Sequence, residues 1–162
     1  MEAKSATAEA SASAHLLGNW ETLMREGVQA SRGGNAATAR RLYLQALDIA
    51  QTLLAFQACD GSGADNRVAA FVVSHLNLAD AYRDADQTPQ ALAHVCNAHH
   101  TLMALMRDAE ASPALQQAAR RHSRDTHTAL LDHLALHGSH PDIEAALRAG
   151  CMPYPWPGAT LH

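Results

Sequence analysis

The sequence has few aromatic or β-branched residues, and this scarcity already limits the fold class. Phe, Trp and Tyr make up only 4% of its 162 residues. No alternation of apolar and polar residues is long enough for a strand. Most of the apolar content is Ala and Leu, which favours helices that pack closely together. The sequence therefore predicts an all-α protein with enough residues for one domain with its own core.

Several other features are also missing, and each excludes a class of protein. No run approaches the roughly 18 apolar residues that span a bilayer, and the first 17 residues lack the apolar core of a signal peptide. A net charge of -4 gives no excess of Lys and Arg for binding nucleic acid. Cys59, Cys96 and Cys151 are odd in number and widely spaced, which is typical of reduced thiols. We therefore expect a cytoplasmic protein that contacts neither a membrane nor nucleic acid.

Glycine, proline and capping residues divide the chain into six predicted helices. Gly33 and Gly34 end the first helix, and Asn35 is placed to cap the second. Later helices begin at Ser or Thr followed by Pro, or at His followed by Pro, since Pro suits the first helical position. The predicted helices cover about 15–31, 36–58 and 67–85, and the last three begin at Thr88, Ser112 and His140.

Two groups of residues have the same internal spacing, which indicates two similar helical hairpins. Successive steps of 12, 4 and 3 residues separate the members of each group. Small residues let two antiparallel helices approach, and a bulky residue one turn away fills the space beside them. The members are Gly27, Ala39, Tyr43 and Ala46 in the first group, and Ala79, Ala91, Val95 and Ala98 in the second.

This pattern resembles the tetratricopeptide repeat (TPR) family over about 20–50 and 74–106. The resemblance implies about six helices in antiparallel hairpins, stacked as a short TPR-like α-solenoid. The two copies lie 52 residues apart, from Gly27 to Ala79, rather than the 34 of the family, which implies longer helices. The third hairpin lacks the small-residue pattern, and it either caps the stack or pairs two copies as a homodimer. An unrelated six-helix bundle is the alternative architecture.

In the TPR family, the first helix of each hairpin lines a concave surface that holds peptides or partner helices. The resemblance therefore implies an adaptor or scaffold that binds a protein or peptide partner in such a groove. Some members hold a C-terminal carboxylate with Lys and Asn side chains, but only Asn77 matches that pattern here, so an amphipathic segment is the better fit. The predicted partner-binding residues are Met24, Arg25, Val28 and Arg32 from the first copy, and Val73, Leu76, Asn77, Asp80, Arg83 and Asp84 from the second.

The stretch "HVCNAHH" at 94–100 suggests an alternative function, metal binding. On a helix, Cys96, His99, His100 and Met103 share one strip, and soft sulfur and imidazole ligands suit Cu(I) or zinc. One helix rarely completes a tetrahedral site, so a further ligand would have to come from another element. The alternative hypothesis is thus a His/Cys-rich regulatory protein on the same helical scaffold.

Catalysis is not predicted, because the sequence has no phosphate-binding loop, nucleophile elbow, metalloprotease motif or dinucleotide fingerprint. We expect no cofactor. The predicted domain organisation is a flexible tail at 1–12, a TPR-like helical domain at 13–150 and a tail with Pro and aromatic residues at 151–162. This last tail either docks on a helix pair of its own chain or of a neighbour, or is an exposed recognition motif.

Overall fold

The computed structural model describes the backbone of residues 2–56 and 63–151 and the side chains of 11–56 and 63–149. The predicted all-α fold is confirmed: the described residues form six α-helices and no strand. The helices are α1 (Glu2–Arg32), α2 (Ala36–Ala55), α3 (Ala64–Arg83), α4 (Thr88–Arg107), α5 (Pro113–His137) and α6 (Pro141–Cys151).

The helix ends follow the predicted capping chemistry in most places. The Asn35 side chain accepts a hydrogen bond from the backbone N–H of Thr38, and the Ser112 hydroxyl accepts one from Leu115. Thr88, predicted as a cap, instead lies inside α4 as its first residue, and the N-cap is Gln87, which makes no side-chain cap bond. The start of α4 thus depends on Pro in its first turn more than on a cap.

Helix α1 is longer than predicted, because residues 2–12 continue it instead of forming a separate flexible tail. These residues are rich in Ala, which has the highest helix propensity, and they contain neither Gly nor Pro. Without an amphipathic period the sequence pattern gave no sign of a helix. Propensity alone therefore accounts for this part of α1.

The packing order of the helices places the first helix of each hairpin beside the next. Each helix contacts its neighbour in sequence, and α3 also contacts both α1 and α5, while α6 also contacts α4. In the described part of the chain, neither α2 and α4 nor α1 and α5 are in contact. The helices α1, α3 and α5 therefore lie side by side, with α3 in the middle.

The residues with repeated spacing lie in the core, where they allow close helix contacts. Ala39, Ala46 and Ala98 are almost completely buried. Gly27 of α1 faces the Tyr43 ring of α2, and a Cβ atom at Gly27 would lie only 2.5 Å from the Tyr43 Cε1 atom. The first hairpin thus closes over a glycine, as the spacing predicted, because any side chain there would clash with a buried ring.

Candidate partner-binding groove

The central helix α3 packs against four other helices and still keeps one open strip. Its contacts are with α1, α2, α4 and α5. Asn66, Val73 and Asp80 are exposed and recur every seven residues, so they share one face of the helix. Val73 is 38% exposed, whereas the other valines of α3, Val68 and Val72, are buried. Because α1 and α5 both contact α3 but not each other, we interpret this strip as the floor of a groove between them.

Helix α1 forms one wall of this groove. The Trp20 indole N–H donates a hydrogen bond of 2.8 Å to the Ser74 hydroxyl and so attaches α1 to α3 beside Val73. On the face of α1 next to this contact, Arg25 and Arg32 are exposed, and Val28 is half-buried against the core. This wall is therefore basic at its edge and apolar at its base.

Helix α5 forms the opposite wall, although none of the predicted partner-binding residues lies on it. The Arg121 guanidinium lies 2.8 Å from an Asp65 carboxylate oxygen at the start of α3, and His122 Nε2 lies 3.2 Å from the same oxygen. The two helices enclose a pocket of about 340 Å³ at this end of the groove. The pocket is lined by Gly63, Ala64, Asp65, Asn66, Ala114, Gln117, Ala118 and Arg121.

The predicted partner-binding residues do not all reach the groove surface. Arg25, Arg32, Val73, Asp80, Arg83 and Asp84 are exposed. The assignment of Met24 to the groove is wrong, because its side chain is only 7% exposed and packs in the core with α2 and α3. Val28 and Leu76 are half-buried and pack against the core, so they offer only part of their surface. The Asn77 amide donates to the carbonyl oxygen of Val73 within its own helix, which uses one of its two N–H donors.

Charges of both signs lie at the C-terminal end of the groove. Arg83 is 2.6 Å from Asp80, three residues earlier on α3, and both side chains are largely exposed. Such an exposed pair contributes little stability and leaves both groups free to exchange partners. Burial raises the pKa of Tyr43, and Asp80 adds to this shift while Arg32 opposes it, so the two charges lie near the same phenol. The groove can therefore contact both acidic and basic side chains.

The structure does not bring the predicted metal ligands together. Cys96 packs in the core between α4 and α6, whereas Met103 belongs to the other core cluster. His99 is buried and its Nδ1 atom is hydrogen-bonded to Thr126, while His100 is exposed. Burial raises the pKa of the Cys96 thiol to about 11, which keeps it protonated and unsuited to a metal. Among the described residues, no group of three or more His, Cys, Asp or Glu side chains could hold a metal ion.

The prediction for the C-terminal tail lies outside the described residues, apart from the backbone of Cys151 at the end of α6. Cys59 also lies outside them. Of the helices that the structure describes, none is both long enough and apolar enough to cross a membrane.

A family model described as "Protein of unknown function (DUF2753)" matches residues 18–154, from within α1 to beyond the end of α6. No curated protein and no solved structure matches the chain. Because the matched segment covers well over half of the sequence, the chain belongs to the DUF2753 family.

Proposed function

We propose that this protein is a TPR-like adaptor of the cytoplasm, which binds a protein partner in the groove between α1, α3 and α5. The observation that carries the proposal is the open strip of α3. This helix touches four others, yet Val73 near its centre remains exposed. Single exposed apolar residues are common on protein surfaces, so the support comes from the position of Val73 on a helix flanked by two others that do not contact each other.

The occupant that best fits the groove is an amphipathic helix of another protein. Val73, with the partly exposed Val28 and Leu76 beside it, offers an apolar line along the floor. Arg25 and Arg32 on the wall formed by α1 and Asp80 at the end of the floor offer charges to such a helix. A helix docked in a groove uses apolar anchors three, four and seven residues apart with polar residues on both sides.

Site-specific photo-crosslinking tests the proposal with a matched control. A photoreactive amino acid replaces Val73 in one variant and Leu44 in another, and each full-length protein is irradiated in an extract of cells that express it. Leu44 is exposed to a similar degree, 41%, but lies on α2 and outside the groove. We expect a discrete adduct from position 73, with the crosslinked partner peptide belonging to an amphipathic helical segment.

Two results would overturn the proposal. One is equal adduct formation from positions 73 and 44, which would indicate nonspecific contacts with any exposed apolar site. The other is the absence of a discrete adduct from position 73. A crosslink to an extended, non-amphipathic peptide would retain the groove but refute the helical partner.

A further inference from the structure

Histidines occupy the helix interfaces of the second half of the stack. His75, His99 and His133 are buried, and His94 is half-buried. They lie on α3, α4 and α5. By contrast, α2 contains no histidine, and His15 of α1 is exposed. Buried histidines thus lie at the contacts among α3, α4 and α5, whereas no buried histidine lies at the contact between α1 and α2.

The interface between α3 and α4 contains two imidazoles in direct contact. The Nδ1 atoms of His75 and His94 are 3.1 Å apart, so the Nδ1–H of one ring donates a hydrogen bond to the Nδ1 of the other. Such a contact requires that at least one Nδ1 be unprotonated. Phe71 packs edge-on to His75, and Tyr82 stacks on His94. The Arg40 guanidinium of α2 lies over the Tyr82 ring, 5.3 Å from its centroid.

The interface between α4 and α5 contains a single imidazole with a defined proton position. The Thr126 hydroxyl donates to the carbonyl oxygen of Ser123, so it accepts the hydrogen bond from Nδ1–H of His99, at 2.9 Å. This tautomer leaves Nε2 of His99 without a proton. Nε2 is buried and has no hydrogen-bond partner among the described residues. A proton added there would create a charge in the core.

A fourth histidine, His133, lies on α5. His133 is buried, and the ring of His137 lies 4.5 Å away. Burial lowers the pKa of His133 most, and His137, Arg83 of α3 and His140 of the connection lower it further. Protonation of His133 would therefore place a positive charge near the Arg83 guanidinium and near two other imidazoles.

The neighbours of these histidines provide no compensating negative charge. Burial is the first cause that lowers the pKa of His75 and His99, each to about 4, and the second is another histidine: His94 for His75 and His127 for His99. In the described part of the chain, no Asp or Glu contributes to the shift of either group or of His133. A histidine with a lowered native pKa binds fewer protons when folded than when unfolded, so its contribution to stability is lost as the pH falls from 6.5 towards 4.

We propose that the histidines between α3, α4 and α5 form a pH-sensitive clasp, which opens on acidification while the hairpin of α1 and α2 stays closed. The α3–α4 contact opens because protonated His75 and His94 repel each other. The α4–α5 contact opens because protonated His99 requires water at Nε2. The first event separates α4 from α3 and the second separates α4 from α5, so both helices lose packing, and neither event depends on the binding of a partner in the groove.

Hydrogen exchange measured by mass spectrometry on the full chain tests this inference. Protection factors, corrected for the intrinsic pH dependence of exchange, are compared at pH 7.5 and pH 5.0 for peptides from α2, α4 and α5. A histidine with a pKa of about 4 in the closed state and 6.5 in the open state shifts the opening equilibrium about 30-fold at pH 5. We expect protection in α4 and α5 to fall by at least this factor relative to α2.

A triple variant, His75→Leu, His94→Leu and His99→Leu, should lose most of the pH-dependent difference in protection between α2 and the helices α4 and α5, since His133 is then the only fully buried histidine left among the described residues. His15→Gln, at an exposed site on α1, should behave as the wild type. The inference is overturned if protection in the wild type falls equally in α2, α4 and α5, or if the selective loss is undiminished in the folded triple variant. If the triple variant does not fold, NMR titration of the wild-type imidazoles decides. Neutral His75 and His99 in the closed state at pH 5, together with the selective loss of protection in α4 and α5, support the clasp. Neutral imidazoles without that loss, or titration near 6.5 without it, refute the clasp.

Discussion

The contact between Gly27 and Tyr43 leads to a quantitative prediction for the first hairpin. A Cβ atom at Gly27 would lie 2.5 and 2.7 Å from two Tyr43 ring carbons, and Tyr43 is buried and cannot swing away. Overpacking of this kind costs about 1–3 kcal/mol, while Gly→Ala inside a helix contributes about 0.5–1 kcal/mol of propensity. We therefore expect Gly27→Ala to lower the free energy of unfolding by about 1–2 kcal/mol, as measured by urea denaturation.

Helix α1 contains its own control for this substitution. Gly18 is exposed, and a Cβ atom there would meet nothing within 4 Å, so Gly18→Ala should raise stability by the propensity gain alone, about 0.5–1 kcal/mol. In a Tyr43→Leu background the clash is relieved, and Gly27→Ala should then be neutral or stabilising. If Gly27→Ala and Gly18→Ala shift the denaturation midpoint equally in the wild-type background, the reasoning about close approach is wrong.

Three further predictions concern other contacts. His99→Leu removes a buried Nε2 lone pair and leaves the Thr126 hydroxyl bonded to Ser123, so stability at pH 7.5 should change by less than about 1 kcal/mol. At pH 5 the same variant should be about 2 kcal/mol more stable than the wild type, because the wild-type imidazole takes up a proton on unfolding and this favours the unfolded state. Equal pH dependence of stability in the variant and the wild type would refute this. Trp20→Phe removes the hydrogen bond to Ser74 and should cost about 1–2 kcal/mol in urea denaturation, whereas a change below about 0.3 kcal/mol would mean that this bond does not attach α1 to α3. Because Cys96 is a buried thiol, Cys96→Ser should leave the affinities for zinc and Cu(I), measured by competition titration, unchanged; a large loss would revive the metal hypothesis.

Much of the fold could be predicted because local chemistry marks the helix ends and the close contacts. Asn35 and Ser112 cap their helices through their own side chains, and these interactions involve only residues nearby in sequence. The repeated spacing placed Gly27 and Tyr43 in one group of residues at a close helix contact, and the structure brings these two together. The extension of α1 to Glu2 was missed, since Ala-rich helix without an apolar stripe gives no periodic signal.

The composition of the groove was only partly predictable, because burial depends on which helices meet. Met24 and Val73 were both assigned to the groove, yet Met24 packs inside and Val73 is exposed. The wall formed by α5 was missed because groove residues were assigned only from the two copies of the repeat, and α5 lies outside both. The ion pair of Arg121 with Asp65 joins residues 56 positions apart, and no pattern along the chain indicates that pairing.

The histidines show the same limit more sharply. The stretch at 94–100 drew attention as a set of metal ligands on one helix. Their actual partners are His75 on the preceding helix for His94, and Thr126 on the following helix for His99. Cys96 has no histidine partner in the described residues and lies in an apolar cluster instead. His94, Cys96 and His99 thus contact different neighbouring helices and not one another, because their side chains lie at different helix interfaces.

The most direct test of the proposed function is the dissociation constant of the partner captured by crosslinking. It should be measured by calorimetry at pH 7.5 for the wild type, for Val73→Asp and for Leu44→Asp. A charge on the floor of the groove should weaken binding at least about tenfold, equal to about 1.4 kcal/mol, while the same change on α2 should alter the constant less than about twofold. Equal dissociation constants for Val73→Asp and the wild type would contradict the account.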